Sequence, residues 1–118
     1  MKYVDGYVLP VPKKKLKAYV RMARMGKKIW MKHGALDYKE CIGDDLKPKW
    51  GALFPKMMKL KPGETVVFSY IVFKSRAHRD RVNAKVMKDM EKMANTQMDM
   101  PFDVKRMVYG GFKVVAGA

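Results

Sequence analysis

The chain is short of most things that would announce a chemistry. A single cysteine, Cys41, in 118 residues excludes an intramolecular disulfide. The two histidines, His33 and His78, are far apart, and Cys41 has no CxxC partner, so neither a metal nor a cofactor is expected. No GxSxG, GxGxxG or phosphate-loop pattern occurs. The longest strongly apolar stretch, Thr65 to Phe73, is far too short to cross a bilayer, so no membrane partner is expected. The opening Met-Lys-Tyr-Val-Asp-Gly has no apolar signal core, which makes the cytoplasm the expected compartment. Acid is scarce as well: 11 Asp and Glu stand against 26 Lys and Arg, and none falls between Gly6 and Leu36.

What remains is a folding composition. Hydrophobic residues make up 48% and charged residues 31%, enough for one core spanning residues 1–118. The net charge of +15 concentrates in the acid-free segment, where Lys17, Arg21, Arg24 and Lys28 recur at three- and four-residue steps. Such a field attracts polyanions, nucleic acid included, without needing a specific site. The alternative is a solvated helix face.

Periodicity orders the elements. Tyr3 to Val11 alternates as a strand, with Gly6 as a bulge or a close backbone approach, and Pro10-Val11-Pro12 stops it. Lys13 to His33 is an amphipathic helix closed by Gly34. Ala35 to Ile42 reads as a second strand, and Leu46 to Gly63 as a long loop carrying Trp50 and Phe54, suited to closing over a pocket. Glu64 to Phe73 is a strand apolar on both faces. Ser75 caps a helix running to Met93, with Ala77, Val82, Val86 and Met90 inward. Asn95 to Pro101 is a loop, and Arg106 to Val115 a last strand containing Gly110-Gly111. The βαββαβ order predicts an α+β fold with a four-stranded antiparallel sheet and both helices on one face. The open face then needs an apolar cover, and a second copy of the same sheet would supply it.

Three segments carry a family resemblance. They are Lys2-Tyr3-Val4-Asp5-Gly6-Tyr7-Val8 with Pro10-Val11-Pro12, Ser75-Arg76-Ala77-His78-Arg79-Asp80-Arg81-Val82-Asn83, and Met100-Pro101-Phe102-Asp103-Val104-Lys105-Arg106-Met107-Val108-Tyr109-Gly110-Gly111-Phe112. Together they resemble the bacterial YbaA-like family of unknown function. The resemblance implies a ferredoxin-like, dimeric α+β barrel and carries over no catalytic residue, because fold does not transmit activity.

The candidate residues follow from the strand and helix ends. Asp5, set between tyrosines on the side expected to face a partner sheet, is either a general base beside Tyr7 and Tyr109 or a structural partner of an arginine such as Arg106. Arg76, His78, Arg79 and Asn83 open the second helix and form either an anion site or a solvated helix start. The expected function is a homodimer binding or transforming a small organic molecule in a cavity lined by Tyr7, Tyr109, Arg106, Trp50 and Phe54. The alternatives are RNA binding through the basic helix and a structural module without catalysis. An RNA-recognition sheet finds only a loose match in Phe68-Ser69-Tyr70-Ile71-Val72-Phe73, since Val66-Val67 replaces the basic-Gly pair.

Overall fold

The computed structural model describes residues 1–93 and 100–117. Alternating and β-branched segments form β1 (Tyr3–Pro12), β2 (Asp37–Ile42), β3 (Glu64–Phe73) and β4 (Val108–Lys113). The sheet is open and wholly antiparallel, in the order β2-β3-β1-β4. The helices are α1 (Leu16–Lys32), a single turn α2 (Phe54–Met57) and α3 (Arg76–Met93). The strand order is consistent with the ferredoxin-like topology expected from the sequence.

Several boundaries moved for physical reasons. β1 runs through Pro10 to Pro12 instead of stopping there. β4 pairs only as far as Val8, so beyond it β1 has a neighbour on one side only, where a missing N–H is tolerated. Lys13–Lys15 form a 3-10 turn before α1. No bulge occurs at Gly6, which pairs in register with Tyr70 and Gly110. A Cβ at Gly6 would lie 3.5 Å from the ring of Phe112, an ordinary contact, so the ring packs over this stretch of backbone. The expected caps hold: Gly34 sits at φ +108° after α1, and the Ser75 hydroxyl accepts the His78 N–H at 3.1 Å. The loop expected over Asn95 to Pro101 lies almost wholly outside the described residues.

The register separates the two sheet faces. Tyr3, Leu9 and Val11 of β1 lie across from Phe73, Val67 and Thr65 of β3, and all are buried. Val82 and Val86 of α3 pack on the Tyr3, Tyr38, Ile71 and Phe73 end, while Tyr19 and Ala23 of α1 pack on Leu9, Val11 and Val67. Both long helices therefore cover one face. Val4, Val8, Phe68, Val72, Val108 and Phe112 share the other. Within the single chain the second face of β3 is only partly covered: Phe68 is 45% exposed, although Val66 is buried.

Candidate functional site

Antiparallel pairing carries a polar row across the helix-covered face. Tyr109 of β4 lies across from Tyr7 of β1, Tyr7 from Ser69 of β3, and Ser69 from Glu40 of β2. The Tyr7 and Tyr109 rings stack with centroids 5.9 Å apart. Burial, reinforced by the Asp5 carboxylate, pushes the Tyr7 phenol up to about 12, so it is a neutral donor at any ordinary pH.

Beside that row, the Asp5 carboxylate is buried and turned toward α3, which corrects the expectation that it faces a partner sheet. Asn83 Nδ2 donates to it at 3.4 Å, and Arg79 Nε stands 3.7 Å away. Arg79 also donates to the Tyr3 hydroxyl at 3.2 Å and lies over the Tyr3 ring. Trp30 Nε1–H donates to Asn83 Oδ1 at 3.0 Å and so aims its amide at Asp5. Burial outweighs these long contacts and holds Asp5 above the ordinary carboxylate value. The partner of Asp5 is thus an arginine, but Arg79 instead of Arg106.

Arg106 makes a two-pronged pair with Glu64, at 2.6 and 2.9 Å, and donates to the Lys59 carbonyl. That pairing holds the Glu64 carboxyl below its usual range. Trp50 is 88% exposed and Phe54, on α2, 48% exposed, so neither closes over a pocket on the Asp5 side. The four residues at the start of α3 diverge. Arg76 is exposed, His78 Nδ1 accepts the Lys74 N–H at 3.0 Å, and Arg79 and Asn83 turn inward to Asp5. Lys17, Arg21, Arg24 and Lys28 do lie together, exposed on α1.

One concavity was not foreseen. A groove of about 220 Å³ opens between α1 and the edge strand β2. Its floor holds Glu40, which accepts the Tyr19 hydroxyl on Oε1 at 2.8 Å and the Tyr38 hydroxyl on Oε2 at 2.7 Å. Burial first, and Glu40 second, push both phenols well above their ordinary value, so they remain donors. A carboxylate offers about four acceptor sites, and two phenols leave roughly half of them for something else. Val20, Ala23, Ile42 and Val67 supply apolar wall, and Arg24, Lys27 and Lys39 line the groove with positive charge. Strand alternation from Tyr38 to Glu40, pointing toward the buried side, was the available signal. The Tyr19 contact bridges 21 residues and left none.

Gly26 lets this clamp form. A Cβ there would sit 2.7 Å from the Tyr38 hydroxyl oxygen, so only glycine allows that hydroxyl so close to the α1 backbone. Gly26→Ala is therefore expected to displace the Tyr38 ring. The helix-propensity gain of roughly 1 kcal/mol partly offsets the lost bond in overall stability. NMR of labelled tyrosines should show Tyr38 shifted and Tyr70 unmoved; an unshifted Tyr38 would refute the geometry.

Among the described residues, no three His, Cys, Asp or Glu side chains cluster in a metal-binding arrangement, and no helix is long and apolar enough to cross a membrane. Comparison with known proteins finds a family model, described as "Protein of unknown function (DUF1428)", matching residues 2–104. The "Uncharacterized protein YbaA" of Escherichia coli strain K12 is 41% identical over 115 residues, covering 98% of this chain and 97% of that one. The same protein of Shigella flexneri matches equally. Among solved structures, the "De novo designed protein Foldit4" covers 97% of this chain and 99% of its own, at 9% identity and a TM-score of 0.46.

Proposed function

We propose that this chain, which belongs to the DUF1428 family of proteins of unknown function and is similar over nearly its whole length to YbaA, binds a small organic molecule in the α1–β2 groove, with Glu40 as its polar anchor. The observation that carries this reading is a carboxylate held in one orientation by two buried phenols at the floor of a groove with apolar walls and a basic rim. Polar groups placed sparsely in an apolar concavity are the usual form of a ligand site. The lining also argues for a ligand class. A hydroxyl or amine would donate to Glu40, a short apolar body would meet Val20, Ala23 and Ile42, and an anionic group would meet Arg24 and Lys27.

A thermal-shift panel of small hydroxy and amino carboxylic acids tests this. A true ligand at a hundredfold excess over its Kd stabilises the fold by about 2.7 kcal/mol, which raises Tm by several degrees. Glu40→Gln is expected to remove the shift while the variant stays folded, and Asp5→Asn to leave it. No shift with any member, or a shift insensitive to Glu40, would sink the proposal.

The open sheet face supports a second part of the reading, a homodimer in which two sheets pack face to face and complete an α+β barrel. Phe68, Val108 and Phe112 are 45%, 60% and 62% exposed on that face. A contiguous apolar patch of this kind marks an interaction surface.

A further inference from the structure

Apart from Arg24, which also lines the groove, the charges on the outer face of α1 have no part in it, and they are arranged more narrowly than the composition requires. At about 100° per residue, Lys17, Arg21, Arg24, Lys28 and Lys32 fall within roughly 80° of helix arc. The stripe from Lys17 to Lys28 is about 16 Å long, with a cation every 4.5 to 6 Å or so. Lys32 has a partner in Asp89 at 3.7 Å. Lys17, Arg21, Arg24 and Lys28 have no described carboxylate within ion-pair distance, and α1 contains no acid. Like charges at these spacings work against the helix by a few tenths of a kcal/mol per pair, so the stripe is not there to stabilise α1.

We infer that this stripe binds the phosphodiester backbone of nucleic acid, without reading its bases. Three observations favour that occupant. The cations are regularly spaced on a rigid element, as a regularly charged backbone would require. The apolar side of α1 is committed to the core through Tyr19 and Ala23, so the helix has no apolar face to insert into a bilayer. The aromatic residues of α1 itself, Tyr19 and Trp30, pack into the core, and the exposed Phe68 and Phe112 lie on the opposite sheet face, so the stripe carries no stacking platform of its own for bases.

The test is fluorescence anisotropy with a labelled single-stranded RNA and a labelled DNA duplex, each titrated at several salt concentrations. The triple variant Lys17→Glu, Arg21→Glu, Lys28→Glu touches none of the groove lining. It is expected to weaken binding more than about tenfold and to flatten the salt dependence by nearly one log unit per lost phosphate contact. The matched variant Lys47→Glu, Lys49→Glu, Lys61→Glu makes the same change in net charge at exposed positions outside α1, and is expected to retain most of the affinity. Circular dichroism confirms that each variant is folded. Equal losses in the two variants would reduce the effect to bulk charge and overturn the inference. So would no binding by the unaltered protein at low salt, or tighter binding to phosphatidylserine vesicles than to either nucleic acid.

Discussion

Asp5→Ala is expected to cost the fold about 3 kcal/mol at neutral pH, the low end for removing one member of a buried charged pair. The loss comes from what the carboxylate leaves behind. Asn83, aimed by Trp30, would keep a half-buried amide with no acceptor, and Arg79 would lose its nearest buried counter-charge. Arg79 keeps the Asp80 carboxylate at 3.4 Å and the face of Tyr3, which holds the cost to that low end. Asp5→Asn preserves size and an acceptor oxygen, so it is expected to cost much less. Urea unfolding of the two variants separates these outcomes, and equal losses would mean that the hydrogen bond contributes nothing.

The pH dependence gives the same site a second signature. Burial holds Asp5 above its ordinary value of 3.8, so the folded state favours the neutral acid. A group with a raised folded pKa contributes stability that is fully present below the unfolded value and disappears as pH rises through the folded one. Ionising Asp5 therefore costs the native protein stability just above pH 3.8, where Asp5→Asn has nothing to ionise. Stability measured across that window should show the variant gaining on the parent protein as pH rises; parallel curves would contradict the burial argument. Glu64 acts with the opposite sign. Its pKa is lowered by Arg106, so its contribution is present above its ordinary 4.5 and is lost as pH falls.

The sheet and its two long helices were readable because their signals are local. Alternation marks β1 and β3, the 3.6-residue stripe marks α1, and Ser75 and Gly34 mark helix ends. The polar sites were less readable, and Asp5 shows why. Its place in the alternation, in step with Tyr3, Tyr7 and Leu9, already put it on the buried side. The alternation does not say whether helices or a partner sheet bury that side, and the groups that hold Asp5 there, Arg79 and Asn83, stand more than seventy residues along the chain. Arg106 is an equally good partner on paper, but the 3-10 turn Val104–Arg106 ahead of β4 sets it beside Glu64. The loop carrying Trp50 and Phe54 misled for a related reason: apolar residues in a long loop suggest a lid, yet both remain largely exposed. The short helix α2 inside that loop, with Pro55 in its first turn, had no periodicity long enough to announce it.

A double substitution on the open sheet face, Phe68→Asp with Phe112→Asp, is expected to turn a dimer into a folded monomer. Both rings are substantially exposed in the single chain, so replacing them should leave the core intact. In a two-fold dimer each substitution occurs twice, and aromatic residues at the centre of an interface are where truncation costs most. The dissociation constant should therefore rise by more than about a hundredfold. The net charge of +15 opposes self-association in bulk, but its distribution does not. The basic stripe of α1 lies on the helix-covered side, so pairing through the opposite faces sends the two stripes outward. Sheets packed about 10 Å apart, each backed by a helix layer, hold those stripes several Debye lengths from one another at physiological salt. Any pairing through the helices would bring them together. Light scattering across a dilution series checks both halves of the argument. A parent protein that is monomeric at every concentration would remove the dimer, and a double variant that keeps the dimer mass would move the interface off the sheet.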